Sequence, residues 1–195
     1  NYFKLYACCR RAHASVDALR AAIAQSDVRP AEIDAIEVET YARAVEATGR
    51  PGVPSSSLAA KFSIPYILSA YLQDGRLDHA AFGDPRLIDP SVAALIDKVT
   101  VAEDPALTAL LPRTRAARVS IRSGHRLWSA EAHGSRGDPH DPLSRDEVVE
   151  KFVAQASPGF GDAEARRLAA AFVEGRESAI SQVGALMGTF TREER

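Results

Sequence analysis

Residues 117–132 read Ala-Arg-Val-Ser-Ile-Arg-Ser-Gly-His-Arg-Leu-Trp-Ser-Ala-Glu-Ala and contain the clearest structural pattern in the chain. Over residues 117–122, apolar side chains alternate with Arg and Ser, which is typical of a strand with one buried face. Ser123-Gly124 can form a turn, and residues 126–132 return as a second strand. The stretch therefore predicts an antiparallel β-hairpin.

The segment before this hairpin contains helices and strands in alternation. An apolar stripe at helical spacing predicts a helix over residues 11–25, and period-two alternation predicts a strand over residues 33–41. A run of Gly, Pro and Ser over residues 49–57 interrupts the pattern and predicts a loop. The elements predicted after this loop are a helix over residues 63–73, a short helix over residues 91–96 and a short strand over residues 98–101.

The character of the sequence changes after residue 133, where a linker-like stretch rich in Gly, Pro and Asp begins. Ser144 and Glu147 have the spacing of a capping box and predict a helix that runs to about Gln155. Further helices are predicted over residues 162–174 and 178–187. The fold class is therefore α+β. Residues 1–133 are predicted to form a two-layer α/β sandwich, and residues 134–195 to be helices of an all-α domain, too few to build a core alone.

Composition excludes several classes of protein. With 195 residues, 46% hydrophobic content and a formal charge of −2, the chain is neither disordered nor basic enough to suggest nucleic-acid binding. It has no apolar run of membrane-spanning length. Cys8 and Cys9 are adjacent and are the only cysteines, so we expect no disulfide, a reducing cytoplasmic location, and neither an iron–sulfur cluster held by this chain alone nor a zinc site. Because the chain starts at Asn1, we interpret it as part of a longer polypeptide.

The densest polar cluster is residues 4–13, which lead into the first predicted helix. Free N–H groups at a helix start, together with Lys4 and the two arginines that follow, favour a small anion such as a carboxylate or a phosphate. In the first turn, His13 could act as an acid or a base. The alternative is a solvated basic surface, with His13 hydrogen-bonded to Asp17 and both cysteines buried.

A second cluster, Lys-Phe-Ser-Ile-Pro-Tyr at residues 61–66, follows the Gly/Pro/Ser loop. Tyr66 lies one turn into the predicted helix, where its hydroxyl could donate a hydrogen bond to an anion or to a leaving oxygen. The alternative, which pattern alone favours, is a tyrosine with its ring in the hydrophobic core.

Four blocks of the chain carry a resemblance to the MmgE/PrpD family. Residues 4–13 read Lys-Leu-Tyr-Ala-Cys-Cys-Arg-Arg-Ala-His and resemble the family's Lys-x-Tyr-Pro-Cys-Cys-Arg-x-x-His segment. Residues 60–66 resemble its Ala-Lys-Phe-Ser-x-x-Tyr, and residues 101–105 its Val-x-x-Asp-Pro. Residues 137–152 resemble its Gly-x-Pro-x-x-Pro-Leu-Ser…Lys-Phe. The blocks agree in order along nearly the whole chain.

The resemblance implies an α/β lid at residues 1–133, inserted in a helical domain whose C-terminal helices are residues 134–195 and whose N-terminal part is absent from this chain. It implies a cofactor-independent lyase or isomerase of small di- or tricarboxylates, such as a 2-methylcitrate dehydratase, that works as a homodimer with its site in the interdomain cleft. The positions that the resemblance assigns to this site are Lys4, His13 and Tyr66 as catalytic residues and Arg10, Lys61, Ser63 and Cys9 as substrate-binding residues.

The reaction type stays open among several alternatives. Iminodisuccinate epimerase and cis-aconitate decarboxylase belong to the same family, although the decarboxylase branch has a histidine where Cys9 stands in this chain. A ligand-binding or dimerisation module without catalysis is the remaining alternative.

Overall fold

The computed structural model describes residues 2–175 of the 195-residue chain. The chain divides into two compact units, with the division between Pro142 and Leu143. All the strands among the described residues lie in the first unit. The linker-like stretch after residue 133 belongs to this first unit, and the assignment of residues 1–133 and 134–195 to a lid and a helical domain stays a prediction.

The first unit contains four strands and seven α-helices among its described residues. In chain order they are α1 (His13–Ile23), β1 (Ala35–Thr40), α2 (Ala42–Thr48), α3 (Ser57–Ala60), α4 (Ile64–Asp74), α5 (Asp84–Leu87), α6 (Pro90–Ile96), β2 (Val99–Glu103), α7 (Pro105–Ala109), β3 (Ala116–Ser123) and β4 (Arg126–His133). The predicted hairpin is confirmed as β3 and β4, and the predicted helix over residues 63–73 is confirmed as α4.

The four strands form one mixed sheet in the order β2-β1-β3-β4. In the centre, β1 pairs in parallel with β2 and antiparallel with β3, so that Ile36 stands beside both Val99 and Ile121. The hairpin register places Ile121 opposite Trp128. Because a parallel pair needs a long crossover, α2 to α6 all lie between β1 and β2 along the chain.

One face of the sheet is covered by helices and the other is polar. The buried residues of the covered face and its helices form one hydrophobic cluster, which includes Val16 and Leu19 of α1, Ile67 of α4, and Val38 and Ile121 of the sheet. The opposite face carries Arg118, which forms ion pairs with Glu39, Asp104 and Glu131. The fold is therefore α+β, with the two layers expected from the alternation in the strands.

The second unit contains α8 (Arg145–Phe160) and α9 (Asp162–Val173) among its described residues. The predicted capping box is confirmed, since the Ser144 hydroxyl accepts from the Glu147 N–H and the Glu147 carboxylate accepts from the Ser144 N–H. The two helices pack around Val153, Ala165 and Ala169. The helix predicted over residues 178–187 lies outside the described residues.

Some short helices could not be predicted from periodicity. A single 3-10 turn, Arg10–Ala12, precedes α1, so the first α-helix begins two residues later than predicted. Helices α2 and α7, of seven and five residues, were not expected. Too few turns are present in them to show a repeat, and in α7 the local signal is the Asp104 side chain, which accepts a hydrogen bond from the Ala106 N–H.

Candidate active site

Residues 2–9 belong to no helix or strand, and backbone hydrogen bonds hold this segment in place at several points. The Phe3 N–H donates to the Gly137 carbonyl (3.0 Å), and the Cys9 N–H donates to the Lys61 carbonyl (2.8 Å). A methyl group at Gly137 would lie 2.3 Å from the Phe3 carbonyl oxygen, so only glycine permits this approach. The Cys9 bond brings the two clusters predicted from the sequence together at the level of their backbones.

Arg10 is a buried cation with only part of its hydrogen-bonding capacity used. One terminal nitrogen donates to Asp138 in an ion pair, and the guanidinium lies 4.9 Å from the centroid of the Tyr2 ring. The other two nitrogens, Nε and Nη1, are buried and have no hydrogen-bond partner among the described residues. Burial opposes ionisation of Asp138, but the hydrogen bond and charge of Arg10 outweigh it and lower the carboxyl pKa.

His13 is completely buried at the start of α1, and its ring meets the edge of the Tyr6 ring at 5.0 Å between centroids. Burial, followed by the charge of Arg10, lowers its pKa to about 3, while the nearby Cys8 carbonyl acts in the opposite direction. Neither ring nitrogen makes a hydrogen bond of normal geometry within the described residues. The imidazole is therefore neutral at physiological pH.

The alternative of a His13–Asp17 hydrogen bond is not found. Asp17 instead accepts a 2.5 Å hydrogen bond from the Tyr6 hydroxyl and a 3.0 Å hydrogen bond from the Arg136 N–H. Burial, together with the Asp17 carboxylate, raises the pKa of Tyr6, so this phenol stays protonated.

Tyr66 and Ser63 lie at the start of α4, inside the protein. The Tyr66 side chain is fully buried, and its hydroxyl donates to the Ala81 carbonyl at 2.7 Å. The Ser63 hydroxyl caps the helix by accepting from the Tyr66 N–H at 3.3 Å. These are the contacts expected of a tyrosine whose ring lies in the hydrophobic core, the alternative interpretation of Tyr66. Burial raises the pKa of its phenol.

The structure brings together some of the sequence-predicted site residues and separates others. Arg10 and His13 lie within one turn of each other at the start of α1, and after burial the charges of Arg10 and of the exposed Lys4 lower the pKa of His13 further. Lys61 joins them through its backbone, but its ammonium lies 5.9 Å from the Phe82 ring centroid. The hydroxyl of Tyr66 lies at Ala81, on the Phe82 side.

A pocket of about 570 Å³ opens beside Cys9 and Arg10. Its other walls include residues that sequence reasoning did not assign to the site. Those residues are Tyr41, Arg43 and Arg115, whereas Arg11, which also lines the pocket, belongs to the basic cluster predicted at residues 4–13. Tyr41 and Arg43 lie far from Arg115 along the chain, so no local motif could have indicated that they meet.

A sequence model of the MmgE/PrpD C-terminal domain matches residues 6–174. The chain belongs to the MmgE/PrpD family. The match agrees with the resemblance in both family and portion, and it extends over both compact units. In this MmgE/PrpD chain, Lys4 stands just before the matched range, whereas the other predicted site residues lie within it. No curated protein matches the chain at a significant level.

Two further findings concern the described part of this MmgE/PrpD chain. Across residues 2–175, no three His, Cys, Asp or Glu side chains are grouped so that they could hold a metal ion. Over the same residues, every helix is too short or too polar to cross a membrane.

Proposed function

We propose that this chain supplies the C-terminal part of the active site of a cofactor-independent lyase or isomerase that acts on small di- or tricarboxylates. Within this class we propose a dehydratase of the 2-methylcitrate type. The observation that carries the proposal is the buried cation Arg10, with two unpartnered nitrogens, next to the neutral His13 in a chain of the MmgE/PrpD family. Members of that family are generally lyases or isomerases.

The proposed reaction begins with removal of a proton from the carbon next to a carboxylate. Negative charge then develops on that carboxylate, and fixed cations lower the free energy of the resulting enediolate. We assign this contact to Lys4, whose exposed ammonium is free to meet a substrate, and assign carboxylate binding to Arg10 and Cys9. The hydroxyl on the neighbouring carbon then takes up a proton and leaves as water, which completes the dehydration.

His13 serves in this proposal as a hydrogen-bond donor to a carboxylate and as a proton shuttle. A neutral imidazole has one N–H donor and one acceptor nitrogen, and neither ring nitrogen of His13 makes a hydrogen bond of normal geometry within the described residues. Because burial and the Arg10 charge lower its pKa, a substrate anion nearby would raise that pKa again and favour uptake of the proton.

Tyr66 is proposed to donate a proton or hydrogen bond to the departing oxygen. In this role the Tyr66 hydroxyl would give up its hydrogen bond to the Ala81 carbonyl and donate to the substrate instead. Ser63 would act through its cap on α4, which orients Tyr66, and Lys61 through its charge at the same end of the helix.

The proposal includes partners and a location. The helical N-terminal part of the same polypeptide would supply the other wall of the cleft, two copies would form a homodimer, and the enzyme would work in the cytoplasm. An epimerase or a decarboxylase of the same family is the second candidate, because both also pass through an anion stabilised by a carboxylate, formed by loss of a proton in the epimerase and by loss of carbon dioxide in the decarboxylase.

The test is an assay of the natural polypeptide that contains this chain, with 2-methylcitrate, citrate, cis-aconitate and iminodisuccinate as separate substrates. We expect water loss from 2-methylcitrate. Epimerisation of iminodisuccinate or release of carbon dioxide from cis-aconitate would replace the dehydratase by the second candidate. Absence of turnover with all four acids would overturn the enzyme proposal in favour of a binding or dimerisation module.

A further inference from the structure

We infer that the pocket whose lining includes Cys9, Arg10, Arg11, Tyr41, Arg43 and Arg115, called the arginine pocket below, binds a carboxylate group of a small polycarboxylate. Tyr41 and Arg115 are the new binding residues in this inference. The identity of the anion as a carboxylate rests on the proposed function, whereas the pocket itself rests on the geometry and charge described next.

Pairing of the central strands builds the pocket from segments that are far apart in the sequence. Antiparallel pairing of β1 and β3 sets Thr40 opposite Ala117, and the Thr40 hydroxyl donates to the Ala116 carbonyl at 2.8 Å. The end of β1 and the start of β3 therefore meet at one edge of the sheet. Tyr41 follows β1 directly and Arg115 precedes β3 directly, so the two residues are held together there.

The charge in this pocket is of one sign. Among residues 2–175, its lining includes four arginines and no carboxylate. Arg10 is paired with Asp138, but Arg11, Arg43 and Arg115 form no ion pair within residues 2–175. Several guanidinium groups around one opening repel each other, and an anion placed between them relieves this repulsion.

Two buried polar side chains of the pocket have unused donors. Arg10 is 8% exposed and leaves Nε and Nη1 without partners, and Tyr41 is 2% exposed and leaves its hydroxyl without a partner, within the described residues. Buried donors are normally paired, and an acceptor brought by a ligand would pair these. Burial raises the pKa of Tyr41, which keeps the hydroxyl protonated as a donor, and Arg115 and Arg11 line the same pocket as Tyr41.

The donor set suits a planar oxyanion. Guanidinium groups bind carboxylates with two parallel hydrogen bonds, and a phenol adds a third donor to the same group. The exposed arginines at the rim can attract the anion, while Arg10 and Tyr41 at the floor complete its hydrogen bonds. Such an arrangement would hold one end of a polycarboxylate and so select substrates with a second carboxylate at the right distance.

The test is a titration of the 195-residue chain with tricarballylate, a tricarboxylate that has no hydroxyl group to lose. The arginine Nε–H signals are followed by nuclear magnetic resonance at constant ionic strength. We expect saturable shifts, and we expect Tyr41→Phe and Arg115→Gln each to weaken binding by about tenfold. The matched controls are Tyr71→Phe and Arg76→Gln, which make the same chemical changes outside the pocket and are expected to bind as the parent does.

Each outcome decides the inference. Binding of Tyr41→Phe and Arg115→Gln at the parent affinity would overturn it, provided that the amide spectra show a folded chain. If Tyr41→Phe does not fold, the affinity of the Arg115→Gln variant tests the inference alone, because Arg115 is exposed. Arg115→Lys is then expected to recover part of the affinity that Arg115→Gln loses. Inorganic phosphate binding as tightly as tricarballylate would overturn the carboxylate assignment. Because no reaction is measured, a failure of the proposed function leaves a positive binding result intact, and turnover without such binding overturns only the pocket.

Discussion

The guanidinium of Arg10 forms an ion pair with the carboxylate of Asp138, which stands 128 residues further along the chain. The contact joins the turn before α1 to the stretch that follows the hairpin. Both side chains are largely buried, at 8% and 15% exposed. Removal of one partner of such an ion pair lowers the free energy of unfolding, because the remaining buried charge is left uncompensated.

Asp138→Asn is expected to lower the free energy of unfolding at pH 7 by about 2–3 kcal/mol, because it leaves Arg10 without its counter-charge. Glu32→Gln breaks the exposed Arg29–Glu32 pair and serves as the control, with a much smaller expected loss because solvent screens this pair. Urea unfolding measures both. Arg10 lowers the pKa of Asp138, so its contribution is present above about pH 4, the unfolded value, and is lost as the pH falls through the folded pKa. Equal losses for the two variants would contradict the prediction.

His13 is expected to make the protein less stable in mild acid. Its pKa is lowered to about 3 in the folded protein, so below about pH 6.5 the unfolded chain binds a proton that the folded chain does not. Stability therefore falls by about 1.4 kcal/mol per pH unit between about pH 6 and the folded pKa. His13→Leu should remove this slope without loss of stability at pH 8, since it also removes two unpartnered nitrogens. His125→Gln, at an exposed turn, should keep the slope.

Lys4→Ala in the complete enzyme is expected to reduce turnover by several orders of magnitude, because the enediolate loses its cation. The melting temperature should change little, since the side chain is exposed. Steady-state kinetics measure the turnover, and thermal unfolding measures the melting temperature. Arg76→Ala, another exposed cation, is the control and should leave both unchanged. Turnover of Lys4→Ala near the parent value would remove Lys4 from the mechanism.

Tyr66→Phe is expected to lower kcat and also to lower the free energy of unfolding by about 1–2 kcal/mol. The loss of stability follows because the buried Ala81 carbonyl loses its donor. Assays well below the melting temperature separate the two effects, and Tyr71→Phe on the same helix is the control. A loss of stability with unchanged kcat would restrict Tyr66 to packing.

Gly137→Ala is expected to detach the segment that carries Lys4. Gly137 has a φ of +93° and its added methyl group would collide with the Phe3 carbonyl oxygen, so we expect a loss of about 2–3 kcal/mol. Gly124→Ala, with a φ of +56° and open space around it, should lose only about 1 kcal/mol. Hydrogen exchange of the Phe3 amide checks the cause, and unchanged protection in Gly137→Ala would contradict it.

The elements that depend only on residues close together in the sequence could be predicted from residue spacing. The hairpin β3–β4 follows from alternation over its two strands and a Ser-Gly turn, and the capping box at Ser144 follows from a spacing of three residues. The resemblance to the MmgE/PrpD family also came from contiguous blocks, and the family match over residues 6–174 confirms it. These features depend on neighbours within one turn or one strand, so they can be recognised from a single sequence.

The burial and pairing of individual side chains were decided by tertiary structure. Local pattern could not tell whether Tyr66 faces a ligand or the core, because the Ala81 carbonyl that accepts its hydrogen bond comes from a different segment. Tyr41 and Arg115 lie close together because β1 pairs with β3. The buried guanidinium of Arg10 has its counter-charge in Asp138, which lies near the other end of the first unit's sequence. The sequence by itself determined the α+β elements and the family. Long-range strand pairing and burial, which no local spacing records, decided which charges and hydroxyls face the arginine pocket.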